Sequence, residues 1–170
     1  MKFPIWAVPI VSMLAFVTPD IRAETYRYVM PGEIIVTVVD GPFLASEHHV
    51  RGCGKGQTCV VDHAPALVES GRPRDEIKSI SIGVDGMTYA LQASGMFNTS
   101  TALRNGGIKR IGGYCYDRHN CAFRGRFGDG GRSYVAEWVI KNGIPTRTVL
   151  SPSMDLGWLF DDNPMPPKYE

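Results

Sequence analysis

Four cysteines constrain this chain more than any other feature, because they fall into two matched pairs, Cys53-x5-Cys59 and Cys115-x5-Cys121. An even cysteine count in a small exported chain favours disulfides. Three pairings are open to four cysteines. The two local ones are favoured, since each pair brackets a Gly-rich or polar loop that closes easily. Zinc is the competing reading, but structural zinc sites space their cysteines about two to four residues apart rather than five.

The N-terminus supplies the oxidising compartment. Lys2 precedes an apolar run from Ile5 to Val17, and Thr18-Pro19-Asp20 then leads to Ile21-Arg22-Ala23. A charge, an apolar stretch and a small residue before the cut make up a secretory signal peptide, with cleavage expected after Ala23. The run is shorter than the roughly 20 residues of a membrane-spanning helix. A short buried helix is the alternative, which Pro4 and Pro9 disfavour. No cysteine follows the cut, so no lipoprotein anchor is expected. Residues 1–23 are thus expected to be removed, leaving 24–170 as a single periplasmic or secreted domain. Loss of Lys2, Arg22 and Asp20 leaves 16 basic and 16 acidic side chains. That balance calls for neither a nucleic acid nor an anionic membrane as partner, and no stable membrane insertion is expected.

The patterning is β-rich. Glu33–Val39 reads as a strand of β-branched residues stopped by Asp40-Gly41-Pro42. Residues 45–75 read as an irregular excursion holding the first cysteine loop, with a helical turn near Ala66–Ser70. Ile80, Ile82 and Val84 alternate with small polar residues, and Asp85-Gly86 turns the chain into Met87–Gln92, a hairpin signal. A short helix is expected near Ser100–Arg104, ended by Asn105-Gly106-Gly107. Ala122–Phe127, Ser133–Ile140 and Pro145–Leu150 then form a meander through Gly128-Asp129-Gly130-Gly131 and Asn142-Gly143.

If the first of these turns pairs Phe127 with Arg132, one face carries Phe123, Phe127, Tyr134, Ala136 and Trp138. The other carries Arg124, Arg126, Val135, Glu137 and Val139, so the middle strand should be covered on both sides. Ser153 is placed to cap a helix over Met154–Phe160, docked through Leu156, Leu159 and Phe160. A Pro-rich tail over 161–170 should lie on the surface. The fold class expected is mainly β, an antiparallel sandwich or partly closed barrel with one or two short helices; α+β is the alternative.

The most distinctive constellation is Cys115-Tyr116-Asp117-Arg118-His119-Asn120-Cys121. Closed by a disulfide, it is a ring of polar groups with little freedom left to lose on docking. It resembles the disulfide-closed, histidine-bearing loop with which the bacterial inhibitor of vertebrate lysozyme enters its target's active site. The likeness covers these seven residues in a loop one residue longer, and it implies a device rather than a family. The plain alternative is a stapled hairpin. Arg124, Arg126 and Arg132 form a basic patch suited to phosphate, carboxylate or an acidic protein, unless Glu137 pairs with Arg124 in a cross-strand network.

Enzyme signatures are missing from the sequence. It contains no Gly-x-Ser-x-Gly elbow, no His-Glu-x-x-His helix and no Cys-x-x-Cys. His48 and His49 are adjacent and would face opposite ways on a strand. His63, which follows Asp62, and His119 are the histidines available to a small hydrolase. No catalytic residue, metal site or cofactor is called. The leading expectation is an exported binding protein, an inhibitor or immunity protein with a protein partner such as a hydrolase or toxin. A small hydrolase and an envelope assembly component are the alternatives.

Overall fold

Strand side chains alternate between two faces, so each apolar-polar run commits one face to a core. A computed structural model, which describes residues 22–66, 68, 71–98, 111–128 and 133–168, arranges these runs as two four-stranded antiparallel sheets. The first has the order β1-β2-β6-β7, with β1 Glu24–Met30, β2 Ile34–Pro42, β6 Asp75–Val84 and β7 Met87–Leu91. The second is a meander, β11-β10-β9-β8, with β8 Ile111–Asp117, β9 Asn120–Phe127, β10 Tyr134–Lys141 and β11 Ile144–Ser151. The excursion after β2 folds into a small sheet of β3 Val50–Arg51, β4 Val60–Val61 and β5 Ala64–Pro65. No barrel closes. The fold is mainly β, as expected.

Turn chemistry sets the hairpins. Asp85 and Gly86 have φ of 45° and 76°, Asn142 and Gly143 of 52° and 79°. In both, the flanking residues pair directly, Val84 with Met87 and Lys141 with Ile144. These are two-residue turns with positive φ at both centres, whose twist matches the strands. Between β9 and β10 the partner of Phe127 is Tyr134 and not Arg132. The shift is an even number of residues, so the expected faces survive. Strand β2 does not stop at Asp40: a bulge between Val39 and Asp40 absorbs the turn-forming residues, and Asp40, Gly41 and Pro42 pair with Ile77, Glu76 and Asp75.

The two inner faces meet in one core. Val36, Val38, Ile80 and Ile82 come from the first sheet; Phe123, Phe127, Tyr134 and Trp138 come from the second. Phe127 meets Trp138 edge to face at 6.0 Å, and the Trp138 indole N–H donates to the Gln92 carbonyl at 3.0 Å. Burying each such side chain contributes about 1.5–3 kcal/mol. Beneath the small sheet, Cys59, Val61, Ala66 and Phe97 form a satellite core. All four cysteines are paired, Cys53 with Cys59 and Cys115 with Cys121.

The outer face of the second sheet is covered by helix α1, Met154–Asp162, and by the chain that follows it. The Ser153 hydroxyl accepts from the Leu156 N–H and caps the helix. Docking uses Gly157 and Phe160, both buried, while Leu159 is 48% exposed. That departs from the expected stripe of Leu156, Leu159 and Phe160. The sheet beneath presents arginines, and their planar guanidiniums fit under a glycine and an aromatic ring better than under a leucine. The tail also differs from a free surface segment. Pro166 is buried, and the Tyr114 hydroxyl donates to the Pro167 carbonyl at 2.8 Å. No described helix is long and apolar enough to cross a membrane. The expected signal peptide up to Ile21, most of the turn at 66–70, the helix at 100–104 and residues 129–132 lie outside the described residues.

Two neighbouring glycines in β8 test this layering. A Cβ on Gly112 would sit 2.2 Å from the Pro164 carbonyl oxygen, and one on Gly113 would sit 2.1 Å from the Phe123 ring. Gly112→Ala should therefore lift the tail, seen as faster prolyl-endopeptidase cleavage after Pro164, with the core still folded. Gly113→Ala should lower stability by about 1–3 kcal/mol in denaturant unfolding, because it strikes the core side.

Candidate functional site

The β8–β9 hairpin carries the sequence-predicted loop. Cys115 lies directly opposite Cys121 and Asp117 opposite Asn120, with Tyr116 extruded by a register shift. Asp117 organises the turn: its carboxylate accepts from the His119 backbone N–H at 2.7 Å and from the Asn120 side-chain amide at 3.0 and 2.9 Å. These donors, the Asn120 amide first, hold the Asp117 carboxyl below its ordinary range.

The loop is also pinned from outside. Gly143 N–H donates to the His119 carbonyl at 2.9 Å, and Asn142 N–H to the Asn120 Oδ1 at 3.1 Å. From the other sheet, the buried Tyr89 sends its hydroxyl proton to the Arg118 carbonyl at 2.7 Å. Tyr89 has no second proton, so its 3.2 Å contact with His119 Nδ1 requires that nitrogen to donate. Arg118 Nε then donates to His119 Nε2 at 3.1 Å. Both ring nitrogens of His119 are thus engaged in hydrogen bonds.

What the loop offers outward is Tyr116, 57% exposed, with Asp117 and Arg118. Tyr116 meets Tyr114 edge to face at 5.1 Å. Beside this pair opens a cleft of about 560 Å³, lined by Tyr114, Tyr116, Asp117, Asn120, Glu137 and Lys141.

The arginines sit elsewhere. Arg124, 5% exposed, lies 4.5 Å over the Phe160 ring, donates to the Asn163 carbonyl, and stands 3.9 Å from Glu137. Arg126 pairs with Asp161 and donates to the Ser133 hydroxyl at 2.9 Å. Both work inside the interface between helix and sheet. Arg132 is outside the described residues.

A second polar cluster was not legible in sequence. Asp62 and His63 form the β4–β5 turn, with φ of 50° and 69°. That turn aims Asp62 away from its neighbour His63 and at His48, whose Nδ1 lies 2.7 Å from Oδ2. Nε2 of His48 faces the buried Glu76 at 2.9 Å. The His48 ring stacks on Phe43 at 4.7 Å and meets Phe97 edge-on. Lys78 bridges Glu76 and Glu47, the latter at 3.1 Å. Burial alone would lower the His48 pKa, but Asp62 and Glu76 outweigh it and raise it. Asp62 is lowered in turn, by His48 and then by the His49 N–H. His63 faces His49, with ring centroids 5.9 Å apart. Among the described residues no hydrogen bond joins the His63 or His119 ring to a carboxylate. Glu76 is a buried acid within a strand otherwise rich in isoleucine.

No family model matches the chain, and no curated protein or solved structure matches it.

Asp117→Ala should raise hydrogen exchange at the His119 and Asn120 amides while the disulfide keeps the hairpin closed. In the native protein that order should be complete above the unfolded Asp pKa of about 3.9. It should fade only as pH falls through the lower folded value, which a pH series of amide shifts would follow.

Proposed function

We propose that this chain is exported and acts as a binding protein, an inhibitor or immunity protein that blocks a hydrolase or toxin through the 115–121 hairpin. The observation that carries the reading is the restraint of that loop. One disulfide, the Asp117 cradle, the β10–β11 turn and Tyr89 fix its backbone, yet Tyr116, Asp117 and Arg118 face solvent. A tyrosine and an arginine on a rigid backbone are the residue types that dominate binding energies. Pre-organisation removes much of the ordering entropy that a mobile loop would lose. Two disulfides in one small domain support an oxidising compartment, in keeping with the signal-like N-terminus.

A hydrolase is the weaker reading, because His119 has both ring nitrogens engaged and His63 faces another histidine. An envelope assembly role has one observation in its favour. Met154 and Trp158, four residues apart on α1, are 65% and 58% exposed, with Leu159 and Met165 beside them. Such an apolar helix face is suited to a partner's groove.

The test is capture of a partner from envelope extract by immobilised protein, repeated with Arg118→Ala/Tyr116→Ala and with Trp158→Ala. The hairpin reading expects the double variant to weaken capture by at least roughly thirtyfold, about 2 kcal/mol, with Trp158→Ala unaffected. Equal capture by native protein and double variant, with loss in Trp158→Ala, would give the role to the helix.

A further inference from the structure

We propose that Glu47, His48 and Glu76 form a binding site for a divalent transition-metal ion, with zinc as the best chemical fit and Asp62 as the outer carboxylate that orients the histidine. One ligand atom from each of the three lies within 4.8 Å of the others. Around a zinc ion with bonds of about 2.0–2.1 Å, tetrahedral ligand atoms stand roughly 3.3 Å apart. Small side-chain adjustments bring the set to that spacing, and Glu47, on an exposed 3-10 turn, is free to make them.

The histidine is held as a metal ligand should be. Nδ1–H donates to Asp62 at 2.7 Å, so Nε2 is the ring nitrogen aimed at Glu76, 2.9 Å away, where a metal ion would take the place of a proton. Carboxylate-histidine-metal relays are built this way, with the outer acid fixing tautomer and ring plane. Phe43 and Phe97 fix the same ring from two other sides. Nε2 is buried, has a carboxylate oxygen 2.9 Å away, and makes no hydrogen bond of acceptable geometry. Two facing acceptors need a cation between them, and a proton on Nε2 or a metal ion supplies it.

Charge selects a divalent ion. Asp62, Glu47 and Glu76 set three negative charges against the single ammonium of Lys78, an excess of two when His48 is neutral. Lys78 already bridges Glu47 and Glu76, so it is the internal cation that a metal would displace. Access exists, because Glu47, His48, Glu76 and Lys78 line an open depression of about 510 Å³, where water can complete the coordination. One imidazole with two carboxylates suits zinc and its first-row neighbours better than calcium or magnesium, which prefer all-oxygen sites.

Chelator-treated protein titrated calorimetrically with zinc chloride, and optically with cobalt chloride, tests the site. The expected result is one equivalent of zinc bound, with visible cobalt bands of nitrogen and oxygen coordination. Glu47→Gln and His48→Gln should each abolish both signals, and Asp62→Asn should weaken binding by roughly 10–100-fold. Lys78→Met should tighten it, which a purely structural ion-pair network would not produce. Absence of stoichiometric zinc binding overturns the proposal. So does zinc binding that survives Glu47→Gln and is lost in His49→Ala/His63→Ala, or a preference for calcium over zinc. Glu47 is exposed, so its variant keeps the test valid should the His48 variant fold poorly, which thermal melts would reveal.

Discussion

The contact between the two inner sheet faces is the constraint on which the rest of this molecule depends. Neither four-stranded sheet can leave its alternating apolar face in water, and each completes the other. Two side chains carry that contact further. Trp138 crosses to the Gln92 carbonyl, and Tyr89 crosses the other way to the Arg118 carbonyl. The position of the 115–121 hairpin is thus fixed in part by the packing of a sheet to which it does not belong. A core defect that let Tyr89 drift would loosen the loop without touching a residue in it.

The outer face of the second sheet is covered by the helix and the chain that follows it. The second sheet carries Arg124 and Arg126 outward, under a helix that meets them with Phe160, Gly157 and Asp161. A guanidinium stacks on an aromatic ring and donates in its own plane, so these arginines serve as packing surfaces while their charge is met by Glu137 and Asp161. Beyond the helix the same outer face opens into the cleft beside Tyr116.

Sequence legibility followed the range of the interactions. Asp85-Gly86 and Asn142-Gly143 announced their hairpins because positive φ at consecutive residues restricts residue choice locally. The faces of β9 and β10 were legible for the same reason, since side-chain parity survived the longer turn. Strand β8 was not, because Gly112 and Gly113 lower strand propensity. Their reason for being glycine lies in Pro164 and Phe123, distant in sequence. β1 hid behind an alternation of tyrosine with arginine. The bulge at Asp40 converted what read as a stop into the continuation of a strand. The meeting of His48 with Asp62 and Glu76, 14 and 28 residues along the chain, had no local signature at all.

The disulfides fit this division between global core and local order. Each closes a loop with a sequence separation of only 6, and in the chain-entropy model so short a loop contributes about 2 kcal/mol. A single large core residue contributes as much. One bridge sits in the satellite core under the small sheet that presents Asp62 to His48; the other, with Cys121 in the main core and Cys115 packed against it, sits at the base of the Tyr116–Asn120 hairpin. Cystines that close such short loops do less to hold the sandwich together than to fix the local backbone of the two polar clusters beside them. The proposed binding loop and ligand set would depend on that geometry far more steeply than the fold does.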